Sequence, residues 1–415
     1  MSRKKTITVF EHEKLTLKAV PEFTSDTFEQ LVRYHGTSGT PYFSLLHQGV
    51  KFSQFVGVIQ VGDTTIEVLP KADRADADKT LWRNVLINML RTVTGIEAGV
   101  TSESNLRLSR NSIFDLYLEL FLNACERLTH QGLVKRYRKV TENQTALRGR
   151  LHIPGQIREN LIHRERFHAE YSAYDQDHIL NQVLKATLQV LSHLAVPVSL
   201  KSRVNRQGLF FQEVSLRKFS EEHFSRIVLN RKTERYAEAL AIARLILLNY
   251  HPDIAKGTNH ILALMFDMNQ LWESWVVKML KRELSDRYRV KAQQSRVFWT
   301  SGQSRKRLEP DIIIEPADEA GSKILIDTKW KTPADLRPSD QDLRQIYAYN
   351  QLFGATHGVL MYPGVQSEIT GRYHTDDRSR CTMLMVNLID RNGGLVKGSE
   401  ISRTIGSLAE GSASV

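Results

Sequence analysis

The sequence predicts an α+β chain in three parts: a β-rich N-terminal part, a helical middle, and a C-terminal mixed sheet flanked by helices. Three observations predict it. Short β-branched runs broken by turn residues fill the stretch 6–75. Apolar residues recur at helical spacing through much of 80–248. Beyond about 256 the helical and strand-like patterns alternate as α-β-β-β-α-β-β.

In the first part, 6–9 is short and β-branched. Residues 56–59 and 64–69 read as a hairpin turning at Gly62-Asp63, closed by Pro70. The polar, Asp-rich stretch 71–79 reads as a spacer. In the middle, Leu81, Val85, Leu86, Met89 and Leu90 fall on one helical face. Ile113, Leu116, Tyr117, Leu120, Phe121 and Ala124 fall on another. The segment 134–170 is basic and reads as irregular. Helices are expected over 177–194 and 234–248. His251-Pro252 and Gly257 then break the pattern and mark a boundary near 250–258. A long helix is expected over 261–286, then strands at 289–300, 310–315 and 323–329. A helix starting near Ser339 runs to Phe353, followed by strands at 357–362 and 382–389. The small, polar tail from Ser407 reads as frayed. The expected divisions are thus 1–75, a docking region; 76–255, a stalk or partner-binding region; 256–406, the catalytic domain; and 407–415, a flexible tail.

Composition narrows the function. Lys and Arg number 57 against 46 Asp and Glu, a formal +11, which favours a polyanionic partner. The two cysteines, Cys125 and Cys381, lie far apart, which excludes a disulfide framework and a Cys-based zinc site. A reducing cytoplasm is the expected compartment. No apolar run approaches the roughly 20 residues that span a bilayer, and the opening MSRKKTITVFEHEKL has no apolar signal core, so no membrane partner is expected. No GxxxxGK loop and no HExxH pattern occurs. His12, His163, His168 and His178 lie among charged residues and are expected at the surface. Trp272, Trp275 and Cys125 are expected in the core. The basic run 134–139 ordinarily marks a solvated face; phosphate or partner contact is its alternative.

The chemistry sits in LEPDIIIE at 308–315 and ILIDTKWK at 324–331. Each places carboxylates on an apolar strand, where ionised groups survive only if paired or bound to a metal. Asp327 and Lys329 are two apart and share a strand face. A hairpin brings Asp311 beside Asp327. Two carboxylates and the Thr328 carbonyl offer hard oxygen ligands for Mg²⁺, with Mn²⁺ as a substitute. Such an ion polarises a scissile phosphate and lowers the pKa of a bound water, while Lys329 orients that water or stabilises developing charge. Gln345 and Tyr349, one helical turn apart, are candidates to hold the substrate backbone or that water. Glu273, among Trp272 and Trp275, is a candidate further carboxylate ligand. The ordinary alternative is a strand-end ion pair flanked by unremarkable helix residues. The nuclease pattern is that of PD-(D/E)xK, restriction-endonuclease-like enzymes.

Several longer segments point to one family. VGVIQVGDTTIEVLPKA at 56–72, ENQTALRGRLHIPGQIREN at 142–160, DQDHILNQVLKATL at 175–188 and FDMNQLWESWV at 266–276 precede EPDIIIE, IDTKWK and DLRQIYAYNQLF at 342–353. In this order the chain resembles the McrC family, the nuclease subunit of McrBC-type modification-dependent (type IV) restriction systems. The resemblance implies a partner, McrB, an AAA+ GTPase that forms hexamers and reads modified cytosine. It also implies an N-terminal stalk that enters the hexamer pore and stimulates GTP hydrolysis, and a C-terminal domain that cuts double-stranded, modified DNA, with dimerisation for double-strand cleavage. Asp311, Asp327 and Lys329 match the family's catalytic positions. Glu273, Gln345 and Tyr349 match its accessory pattern more loosely. The competing functions are a non-enzymatic adaptor that activates the AAA+ partner and a partner-independent nuclease.

Overall fold

A computed structural model describes residues 5–72, 78–94, 113–194, 197–252, 260–284, 287–317, 322–333, 337–365, 367–374, 376–389, 396 and 398–411. They are mixed α and β and form two compact units. One comprises Gln60–Asp63 and Phe114–Leu264; the other comprises Lys5–Ile59, Thr64–Ile113 and the described part of Met265–Val415. Residues 73–77 of the expected spacer and 318–321 of the loop between the two carboxylate strands lie outside the described residues. Among those described, no helix is long and apolar enough to cross a membrane.

The larger unit begins with β1 (Lys5–Phe10), β2 (Lys14–Thr16), α1 (Ser25–Ser38), β3 (Phe43–Leu46), β4 (Gly49–Phe52), β5 (Phe55–Val61), β6 (Thr64–Leu69) and α2 (Lys79–Thr94). β1 pairs in parallel with β6, whose other neighbour is β5. Every residue of β6 is buried, so the expected hairpin strand lacks the polar face that alternation would give it. Glu67 on β6 is fully buried and survives because Arg83 Nε donates to its Oε2 at 3.0 Å and Ile113 N to its Oε1 at 2.9 Å. α1 was not expected. Thr24 caps its start by accepting from Thr27 N, and Gly39, with φ of 56°, ends it.

The other unit holds α3 (Ile113–His130, from Phe114), β7 (Arg136–Gln144), β8 (Arg150–Leu151), α4 (Ile153–Asn160), β9 (Phe167–Asp175), α5 (Ile179–His193), α6 (Val198–Gly208), α7 (Glu221–Ser225), α8 (Ala237–Leu248), β10 (Tyr250–Pro252) and most of β11 (His260–Asp267). The stretch expected to be irregular is an antiparallel ribbon, with β7 pairing β9 from Arg136↔Asp175 to Gln144↔Phe167. β7 buries neither face, so no apolar alternation marked it in the sequence. Two of the four histidines expected at the surface are buried instead, His168 and His178. His178 Nε2 lies 2.8 Å from the Val134 carbonyl, which satisfies a ring the sequence context had made look solvated. Cys125 is buried as expected, and burial pushes its thiol pKa up.

The chain then returns to the larger unit through α9 (Met268–Glu283), β12 (Tyr288–Ala292), β13 (Arg296–Ser301), β14 (Ser304–Leu308), β15 (Ile312–Pro316), β16 (Ile324–Thr328), α10 (Asp340–Phe353), β17 (His357–Pro363), β18 (Ser367–Tyr373), β19 (Asp376–Val386) and α11 (Gly398–Gly411). The helix expected from Ile261 starts only at Met268, because 260–267 is strand. HILALMF is a continuous apolar run, for which periodicity does not separate strand from helix. The switch falls at Asp267, whose carboxylate accepts from Asn269 N and Gln270 N. The strand expected over 289–300 is two strands, broken where Gln293 takes φ of 52°. β14, β18 and α11 were not expected, and α11 carries helix through residues read as a frayed tail.

Six strands form the C-terminal sheet in the order β12-β15-β16-β17-β19-β18. β15 runs antiparallel to β12 and β16, while β16, β17 and β19 are mutually parallel. α9 and α10 both contact β16. α10 is capped by Ser339, which accepts from Asp342 N, and closed by Gly354 at φ 68°. α10 packs closely because β17 carries Gly358: a Cβ there would lie 2.1 Å from Ile346 Cγ2 and 3.1 Å from Asn350 Oδ1. Gly358→Ala is expected to destabilise the protein by about 1–3 kcal/mol through overpacking, read as a lower urea midpoint with an unchanged slope.

The N-terminal strands brace this sheet within the same unit. Trp330 Nε1 donates to Glu11 Oε1 at 2.7 Å, Met268 N donates to the Gln54 carbonyl at 3.1 Å, and α2 packs on α9. The described N-terminal strands are thus grouped with the C-terminal elements. Divisions at 75 and 255 do not show this, because the grouping depends on contacts between residues more than 200 positions apart in sequence.

Candidate functional site

Asp311 immediately precedes β15, behind Pro310, and Asp327 sits near the end of β16. The register Ile312↔Ile326, Ile313↔Leu325, Ile314↔Ile324 carries on to place Asp311 across from Asp327. The sequence-expected hairpin geometry is present. Thr328 ties the two strand ends together: its N and Oγ1 both donate to Asp311 Oδ2, at 2.7 and 2.8 Å. On the next strand position, Lys329 N donates to the Met361 carbonyl of β17 at 2.9 Å. The Lys329 side chain returns to the same strand face as Asp327, with Nζ 2.7 Å from Asp327 Oδ2.

Gln345 and Tyr349 on α10 close one side of this pair. Lys329 Nζ donates to Gln345 Oε1 at 3.2 Å, Gln345 Nε2 to Tyr349 Oη at 2.7 Å, and Tyr349 Oη to the Glu309 carbonyl at 3.2 Å. This chain joins the ammonium to the backbone just before Pro310. Both residues singled out by their i, i+4 spacing are thus brought to the site. Glu273 on α9 is brought close as well, held by Gln293 Nε2 at 3.0 Å. Among the described residues, however, no three His, Cys, Asp or Glu side chains cluster tightly enough to hold one ion together. Glu273 therefore stands beside the carboxylate pair rather than in a closed ligand set with it.

The electrostatics are those of crowded carboxylates. Asp327 is 1 % exposed. Burial pushes its pKa up to about 6; Lys329 opposes this, and Asp311 and Asp342 add to it. Its Oδ2 takes no well-directed hydrogen bond, although Lys329 is within ion-pair distance. Burial also raises Glu273, and Asp311 and Asp327 raise it further. Lys329 behaves in the opposite sense. Burial would lower its pKa, but Asp327, Asp311 and Asp342 outweigh that and hold it above the ordinary lysine value, so it stays an ammonium.

Two further groups were not singled out in the sequence. Asp342 is buried in the first turn of α10, taking Lys331 Nζ at 2.7 Å and Tyr362 Oη at 3.0 Å. Burial would raise its pKa, but Lys331, Ser339 and Tyr362 outweigh it and hold the carboxylate below the ordinary range. Glu11 is buried against Trp330, immediately after Lys329. Burial pushes its pKa up to about 7 despite donors from Trp330 and Lys71. Asp342 could have been suspected from the alternation of Lys329 and Lys331 on one strand face. Nothing local to residue 11 points to residue 330. Trp272 and Trp275 lie in the core as expected, stacked with centroids 5.4 Å apart, and Trp330 leans on Trp272 at 5.7 Å.

Two comparisons with known proteins give the same result. A chain of the refined half-complex from the tetradecameric assembly of Thermococcus gammatolerans McrB AAA+ hexamers with bound McrC is similar in structure. Its TM-score is 0.69 at 18% identity, over 97% of this chain and all of that one. A chain of the cryo-EM structure of the Thermococcus gammatolerans McrBC complex is similar with a TM-score of 0.50 at 20% identity, over 68% of this chain and 88% of that one. At these identities the likeness is one of fold. A search of curated proteins gave no match. A family model described as McrBC 5-methylcytosine restriction system component matches residues 50–363, most of the 415-residue length, and the chain belongs to that family.

Proposed function

We propose that this chain is the DNA-cutting subunit of its restriction system, a PD-(D/E)xK endonuclease acting through Asp311, Asp327 and Lys329. The observation that carries this is the facing of Asp311 and Asp327 across β15 and β16, with Lys329 paired to the buried Asp327. Asp311 raises the pKa of both Asp327 and Glu273, and one buried carboxylate oxygen of Asp327 lacks a directed hydrogen bond; this concentration of negative charge suits a hard divalent cation. Asp311, Asp327 and the Thr328 carbonyl would hold Mg²⁺ or Mn²⁺, with Glu273 as a candidate further carboxylate. When bound, the ion supplies Lewis-acid polarisation of the phosphate and an activated water.

The chain's own residues do the remainder. Lys329, kept charged, stabilises negative charge developing on the phosphate rather than serving as a resting base. Gln345 and Tyr349 hold the ammonium in place. Thr328 fixes the Asp311 rotamer. The partner is a McrB-like AAA+ GTPase hexamer and the substrate double-stranded, modified DNA. The ribbon β7–β9 with α4 supports a protein partner, since Leu147, Ile153, Ile157, Leu161 and Ile162 are all more than half exposed there.

The test is cleavage of methylated and unmethylated plasmid by the full chain with its AAA+ partner, nucleotide and Mg²⁺. Cutting is expected to require the metal and to vanish in EDTA. A metal ligand must be ionised, so protons compete with the ion below about pH 6. The cleavage rate is therefore expected to fall toward tenfold per pH unit on the acid side, with more Mg²⁺ moving that limb to lower pH. Stability follows the same linkage. Asp327 has a folded pKa above its unfolded value, so its contribution is complete below about pH 4 and is lost as pH rises through about 6. Stabilisation by Mg²⁺ should then be larger at pH 7 than at pH 5. Metal-independent cutting, or GTPase stimulation with no cutting at all, would instead favour an adaptor or a different nuclease site.

A further inference from the structure

β13 and β14 form a two-stranded sheet of their own, outside the six-stranded sheet. All six residues of β13 and four of the five in β14 are exposed. Two-stranded ribbons have little stability by themselves, so one that displays aromatic side chains needs an external reason. Phe298 is 56% exposed and Trp299 51%. Phe298 sits at a bulge, where the register slips between Val297 and Trp299. Between residues 294 and 308 there are four cations, Arg296, Arg305, Lys306 and Arg307, and no acidic residue.

Two of those cations serve the ribbon's base. Arg307 Nε donates to Ser295 Oγ at 2.7 Å. Arg296 donates to the Leu352 carbonyl at 3.2 Å and covers the Phe353 ring. The other two are uncommitted: among the described residues Arg305 and Lys306 have no ion-pair or hydrogen-bond partner. They stand opposite Thr300 and Trp299 respectively.

Both legs of the ribbon are rooted in the candidate site. Before β13, Gln293 N donates to the Asp311 carbonyl at 3.1 Å, and its side chain holds Glu273. After β14, the Glu309 carbonyl accepts from Tyr349 Oη, and the chain passes through Pro310 to Asp311. A strand of six residues reaches about 20 Å, and a two-stranded ribbon fits the major groove of duplex DNA.

We propose that the 296–308 ribbon is an arm that grips duplex DNA beside the candidate site, Arg305 and Lys306 neutralising backbone phosphates and Trp299 and Phe298 lying against the groove. The proposal rests on the endonuclease assignment above. Unpaired cations without carboxylates favour a polyanion over an apolar protein surface, and the rooting in Gln293, Glu309 and Asp311 places that polyanion where a scissile phosphate is needed.

The experiment is duplex binding by the full chain in EDTA, read by fluorescence anisotropy across a salt series, alongside cleavage with the AAA+ partner. Arg305→Ala/Lys306→Ala is expected to weaken binding about tenfold near 0.1 M salt and to reduce the slope of log K against log salt by about 2. Arg305→Lys/Lys306→Arg should restore both. Trp299→Ala should weaken binding with the slope unchanged. Unfolding curves keep these exposed-site variants comparable. If the double Ala variant binds with unchanged affinity and slope while wild type binds and cuts, the arm is refuted and the endonuclease assignment stands. Loss of partner association with DNA binding intact would make the ribbon a protein-docking surface and also refutes the arm, as would a wild-type chain that binds no duplex. Asp327→Asn separates the two claims: it should bind duplex normally, and continued cutting by it would sink the endonuclease assignment independently of the ribbon.

Discussion

Asp327→Asn is expected to lower DNA cleavage by about 10³-fold or more while leaving the fold, partner association and stimulation of the partner's GTPase intact. The variant removes the negative charge that would hold the cation but keeps the shape and an acceptor for Lys329. At 1 % exposure the site gives a carboxylate little help from water. A neutral amide avoids that desolvation, so no loss of stability is expected at neutral pH; the metal-dependent part of the melting temperature should be the part that disappears. Cleavage by the partner-bound variant, measured against wild type on modified plasmid, decides the matter. A rate within tenfold of wild type would place the chemistry elsewhere.

Lys329→Met should cost about 10²–10⁴ in cleavage rate. Methionine replaces the stem but not the ammonium, and it leaves Asp327 without its ion partner. Because Asp327, Asp311 and Asp342 outweigh burial and hold the Lys329 pKa above the ordinary value, the side chain acts as a fixed cation. Its titration should therefore cause no loss of wild-type rate between neutrality and about pH 9. A base-limb pKa near 7 that vanishes in Lys329→Met would mean instead that Lys329 is a resting general base. Stimulation of the partner's GTPase should be unaffected by this change, since the proposed role of Lys329 is in cutting alone.

The parts of the site legible in the sequence were those whose signals are local. Asp311 and Asp327 stand out because each borders a run of isoleucine and leucine that would otherwise exclude charge. Gln345 and Tyr349 were legible through helical spacing, and α10 through Ser339 at one end and Gly354 at the other. β11 was misread as helix because HILALMF satisfies both periods. β14 and the exposed strand β7 were hidden for the opposite reason: with no buried face they carry no apolar alternation at all.

By itself, the sequence determined the mixed α and β class, the pairing of Asp311 with Asp327 and Lys329, and the family. These depend on residue order within short segments. Only the tertiary structure decided that Glu11 reaches Trp330, that Glu273 stands beside the carboxylate pair without completing a ligand cage, and that the N-terminal strands share a unit with the C-terminal sheet. Those are contacts between residues distant in sequence, set by how apolar faces pack. The same packing sets the electrostatics: the raised pKa of Asp327 and the permanence of the charge on Lys329 come from burial and neighbours, which no residue type carries in itself.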